Sequence, residues 1–239
     1  MATKKKNKKK PAPKPSGQTM TPKQYFLAGR PRSLELHECL INGGYQDNGM
    51  AVIVVARKHK TGNITFASFM VDIFCLGVKD AGPSFNRLEE DYEHYKSQMY
   101  NNFSEGETPI SYDLAHNIIF GAVDYATKLG FKPHKDWEYA QFILEPKDSP
   151  NVEKMDIEFG KDGKPFYISG PYDRVDSIIN KLNHAVGPNN YTYIAQLGGS
   201  GGFGYDNLDF MDDGDDDEDD DDNNDENETE DVDYEEVKS

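Results

Sequence analysis

Cysteine is scarce: Cys39 and Cys75 are the only two in 239 residues, too few for the disulfide framework of a small secreted domain. Both lie in apolar, strand-like surroundings, which predicts buried free thiols. No uninterrupted apolar run approaches the ~18 to 20 residues of a membrane span, so no membrane partner is expected. The lysine run near the start lacks the hydrophobic stretch that a signal peptide carries behind its charges. These absences together predict a cytoplasmic protein. In a eukaryotic host, K-K-K-N-K-K-K would instead read as a nuclear import signal. The glycosylation-type triplets at Asn63, Asn102, Asn190 and Asn227 have no meaning in either compartment.

The common catalytic signatures are missing as well. No H-x-x-x-H, C-x-x-C or G-x-x-x-x-G-K pattern occurs, which removes the usual zinc and nucleotide motifs, and G-x-S-x-G is met only at Gly198 to Gly202, inside the Gly-rich linker. G-S-G-G-F-G at Gly199 to Gly204 fits a dinucleotide fingerprint literally. The acidic Y-D-N-L-D-F-M-D-D that follows would repel phosphate, so it reads as linker.

Charge is abundant but unevenly placed. The formal net charge is −17, yet residues 1–23 carry eight lysines and no acid, while residues 206–239 carry twenty acids and one lysine. The acidity therefore belongs mainly to one tail, and the central part is only mildly acidic, which argues against a broad nucleic-acid groove on it. This divides the chain into a disordered basic arm at 1–23, a globular domain at 24–197, and a Gly-rich linker with a disordered acidic tail at 198–239.

Within the domain, Ala51 to Arg57 and Ile64 to Cys75 are β-branched or aromatic runs separated by K-H-K-T-G-N, which predicts a β-hairpin. Gly82-Pro83 then reads as a break, with Ser84 capping a surface helix that carries Leu88, Tyr92, Tyr95 and Met99. A wide apolar stripe from Leu114 to Leu129, after a Ser111 cap and before Gly130, predicts a core helix over Tyr112 to Leu129. A shorter helix is expected over Asp136 to Leu144, and a second hairpin with Ile157 and Phe159 facing Phe166 and Ile168. A helix from Tyr172 to Val186 and a last strand at Tyr191 to Leu197 complete an α+β fold with an antiparallel or mixed sheet.

The segment Phe69 to Ala81, F-M-V-D-I-F-C-L-G-V-K-D-A, is the most informative. Strand alternation makes both of its faces apolar and puts Asp72 where water is scarce, so something must compensate its carboxylate. One reading pairs Asp72 with Asp80 to hold a divalent cation or to act as acid and base, joined by Lys79, His116 or His134. The other makes Asp72 a structural carboxylate, satisfied by Lys79 or by backbone amides. No organic cofactor is expected.

The stretches L-H-E-C-L-I-N, V-A-R-K-H-K-T-G-N-I-T, V-D-I-F-C-L-G-V-K-D-A and G-A-V-D-Y-A-T-K-L-G-F-K-P-H resemble an uncharacterised family of bacterial hypothetical proteins, most closely over Tyr25 to His134. The resemblance implies a bacterial cytoplasmic setting and draws attention to Asp72, Cys75, Gly77, Lys79 and Asp80. It brings no activity with it. The composition favours a non-enzymatic interaction module with a protein partner, or with nucleic acid reached through Lys4, Lys5, Lys6, Lys8, Lys9 and Lys10. The alternative is a metal-dependent hydrolase or nuclease built on Asp72 and Asp80.

Overall fold

A computed structural model describes residues 20–195, so the lysine arm and the acidic tail lie outside the described part. In chain order the elements are helix α1 (Pro22–Leu27), strand β1 (Glu35–Asn42), the single turn α2 (Tyr45–Asn48), and strands β2 (Met50–Lys58), β3 (Ile64–Asp72) and β4 (Gly77–Arg87). Helix α3 (Glu89–Tyr100), strand β5 (Glu107–Pro109), helix α4 (Tyr112–Lys128) and the short α5 (Trp137–Ala140) follow. Strand β6 (Phe166–Ile168), helix α6 (Val175–Val186) and strand β7 (Thr192–Ile194) close the described chain. None of the described helices is long and apolar enough to cross a membrane.

The fold is α+β, with a five-stranded antiparallel sheet in the order β4-β3-β2-β1-β5. The hairpin expected from K-H-K-T-G-N is β2–β3, in unbroken register from Met50 opposite Asp72 to Lys58 opposite Ile64. Side-chain alternation then builds two cores. On one face Ile53, Val55, Phe69 and Val71 pack with Ile118, Ile119 and Ala122 of α4 and with Trp137. On the other, Val52, Val54, Ile64 and Phe66 pack beneath Tyr92, Met99 and Tyr100 of α3. Both cysteines are buried and free, and burial pushes the Cys39 thiol up to about 12.

Several expectations need correction. The chain does not break at Gly82-Pro83: β4 runs through both, with Pro83 opposite Ala67. It is an edge strand, so a proline without an N–H costs it little. Helix α3 starts later, after Leu88, where Glu89, Glu90 and Asp91 suit the positive end of the helix dipole, and Ser84 does not cap it.

The second hairpin shrinks to its turn, an isolated bridge between Lys161 and Lys164. Phe159 instead packs on α4, stacked on Tyr125, and β6 pairs in parallel with β7. The helix expected from Asp136 is one α-helical turn followed by a 3-10 turn at Gln141–Ile143, and α6 begins at Val175 rather than Tyr172. At the other end, α1 takes in Pro22 and Lys23, held by a capping box between Thr21 and Gln24.

Helix α6 lies between β6 and β7 in the chain, and Leu182 and Tyr167 pack with Cys75, Leu76 and Leu129 as a third core. This smaller unit meets the large sheet at the turn between β3 and β4: Phe166 N–H donates to the Phe74 carbonyl and Gly160 N–H to that of Ile73.

Candidate functional site

Asp72 ends β3, and the next four residues fold back so that Gly77 pairs with it to start β4. One Asp72 oxygen accepts from the N–H groups of Phe74 (2.9 Å) and Cys75 (3.0 Å), the other from Leu76 N–H (3.1 Å). The compensation for this buried carboxylate is thus three amides of its own turn. Burial pushes its pKa up to about 6, against the opposing pull of the amides and of the Lys79 charge. Gly77, at φ +73°, lets the turn lie on α4: a Cβ there would stand 2.6 Å from the Ala126 Cβ and 2.9 Å from the Ala122 carbonyl oxygen.

Beyond Gly77 the ladder slips by one residue. Val71 faces Val78, Met70 faces Asp80, and Lys79 is the extra residue of a β-bulge. The bulge sends Lys79 and Asp80 toward one cavity, which both line. Lys79 Nζ lies 3.2 and 3.3 Å from the two oxygens of Asp173. Asp173 also accepts from Gly170 N–H (2.8 Å) and the Tyr167 hydroxyl (3.1 Å), so Lys79 fastens the turn after β6 to the sheet.

Asp80 accepts from Ala81 N–H at 2.7 Å and lies 3.5 Å from Nδ1 of His134, which is itself 3.7 Å from Asp136. Burial raises the Asp80 pKa, and the neighbouring His134 opposes the rise.

The cavity, about 610 Å³, opens between the end of the sheet that α3 leaves uncovered and the β6–β7 unit. Met50, Met70, Phe74, Phe166, Ile168 and Pro171 supply its apolar wall, and Tyr172, 87% exposed, and Ile194, 51% exposed, are its least covered apolar members. Its charged lining is Asp47, Asp72, Lys79, Asp80, Lys161 and Asp173. Lys161 Nζ stands 5.8 Å from the centroid of the Phe74 ring and 5.1 Å from that of Phe166. Phe74 in turn lies across Gly49: a Cβ at position 49, where φ is +80°, would meet the Phe74 ring at 2.2 Å.

The structure therefore gathers Asp72, Lys79 and Asp80 around one cavity and sets His134 behind Asp80. His116 sits elsewhere: it is buried on α4, its Nε2 is 3.1 Å from the Glu145 carbonyl, and it lines a separate depression with Asp124, Lys147 and Lys154. Burial lowers its pKa, consistent with a neutral packing histidine. Lys4, Lys5, Lys6, Lys8, Lys9 and Lys10 lie outside the described residues.

For a metal, the described residues bring together a different trio, His37, Glu38 and Glu93, whose ligand atoms lie within 4.8 Å of one another. Lys96 already serves both carboxylates, 3.0 Å from Glu38 and 2.9 Å from Glu93, and the Tyr92 hydroxyl donates to Glu38 at 2.6 Å.

Sequence reasoning missed Met50, Met70, Phe166, Tyr172 and Asp173 as site residues. Tyr172 and Asp173 follow Gly170-Pro171, a turn signal that could have marked a loop instead of a helix start. No protein-family model, curated protein or solved structure matches the chain.

Proposed function

We propose that the domain is a non-enzymatic binding module whose ligand is a small organic molecule held in the cavity beside Lys79 and Asp80. The observation that carries this reading is the cavity itself: about 610 Å³, walled by thioethers and rings, with a few charged groups placed around it. Volumes of ~300 to 1,000 Å³ with mostly apolar walls and a few orienting polar groups are typical of small-molecule sites. Intracellular location and the bacterial family resemblance belong to the same proposal.

The hydrolase reading draws less support. Both Asp72 oxygens already accept backbone N–H groups, and a carboxylate so engaged is a poor metal ligand or base. Nucleic-acid binding through the lysine arm is a separate expectation. Replacing Lys4, Lys5, Lys6, Lys8, Lys9 and Lys10 by glutamine in the full chain should abolish any salt-sensitive association with labelled duplex.

The neutral dye Nile red, whose fluorescence rises on leaving water, tests the cavity. The full chain should bind it at micromolar concentration, and Met70→Trp, which places an indole among Met50, Phe74 and Ile168, should weaken that binding at least tenfold. Equal binding by both proteins, or none by the wild type, would refute the proposal.

A further inference from the structure

The charge lining the cavity points to a ligand class, an inference that rests on the small-molecule reading above. Four carboxylates and two ammonium groups line the space. Asp72 is committed to three amides, and Asp173 to Lys79, Gly170 N–H and the Tyr167 hydroxyl. Lys79 is therefore already matched. Asp47 is exposed to water, and Lys161 is exposed as well.

What remains on the half-buried wall is Asp80. Its Oδ1 takes the Ala81 N–H and faces His134 at 3.5 Å. Lys79 and Asp136 are the other charged groups around it, and Tyr95 of α3 senses its charge.

We propose that the cavity takes an organic cation, with its apolar or aromatic body against Met50, Met70 and Phe74 and its ammonium or amidinium head directed to Asp80. The chain's own Lys161 provides the second observation: its ammonium already lies over the Phe74 and Phe166 rings, whose electron-rich faces attract positive charge. Thioethers add polarisable, adaptable surface of the kind that accommodates varied apolar bodies. An anionic ligand would bring its charge beside Asp80 with Lys79 already held by Asp173.

The test uses the full chain with Nile red as the neutral reporter, displaced at neutral pH by octylamine, octanol or octanoate. These three differ only in the head group. A charge-assisted contact to Asp80 should let octylamine compete about tenfold or more better than octanol, with octanoate weakest. In Asp80→Asn the amine, its inhibition constant corrected for that variant's own Nile red affinity, should fall to the level of the alcohol. Asp80→Ser gives the same comparison should the asparagine disturb the strand, and a urea-unfolding curve matching that of the wild type reports an intact fold. If the dye binds but amine and alcohol compete equally, or the amine keeps its advantage in both variants, the cation assignment falls and the cavity stands. If the wild type does not bind Nile red, the cavity reading itself fails and this inference with it.

Discussion

Phe69 and Met70 are chain neighbours on β3, yet they belong to two differently built regions. Phe69 points into the face closed by α4 and α5, where its ring meets Trp137 at 6.0 Å between centroids and is fully buried. Met70 points to the opposite face, beyond the reach of α3, and lines the cavity half-buried. The same two-residue strand period that fills one face leaves part of the other open. Stability and binding are therefore separable by a step of one residue.

The largest test of that separation is Phe69→Ala, which removes a ring from a closed core and should cost about 3 to 5 kcal/mol in urea unfolding. Asp72→Ala comes next: it strands three buried N–H groups and should cost about 3 kcal/mol, as the loss of a hydrogen-bond network does.

The same carboxyl predicts a pH dependence. With a native value of about 6 against the ordinary 3.8, the native state binds more protons than the unfolded one between about pH 4 and pH 6. Its contribution to stability is complete below that window and is lost as pH rises through it. Subtracting the Asp72→Ala stability curve from that of the wild type should expose this fall, and a flat difference would contradict it.

Gly77→Ala should cost about 2 kcal/mol or more, because the new methyl meets α4 at a left-handed backbone position; a thermal melt reports it. Met70→Ala should be the mildest, about 1 kcal/mol or less, while reducing Nile red binding. A loss comparable to that of Phe69→Ala would mean that the two regions share one core and would end the comparison.

The local signals in the chain marked much of this arrangement. The β2–β3 hairpin follows from its turn residues, α4 from its stripe and its Ser111 cap, and the burial of Asp72 from the apolar residues on both faces around it. The partner of Asp72 stayed open because its donors are backbone groups, which every residue carries and no side-chain pattern displays. Pro83 misled for a related reason. A proline breaks a central strand but suits an edge, and edge position is a property of the assembled sheet. The parallel β6–β7 pair depends on contact across α6, a long-range relation that neither short strand encodes alone. The cavity inherits that difficulty, since half of its wall comes from this unit and half from Met50, Met70 and Phe74.

Gly49 is not in the cavity wall, but it sits beneath Phe74, which is. Any side chain at position 49 must displace that ring, and the ring also carries the Lys161 ammonium on its face. The capacity of the site is thus set partly from behind. A residue hidden from every ligand acts as a spacer, through which the shape of the cavity can be changed without altering a single group that a ligand would touch.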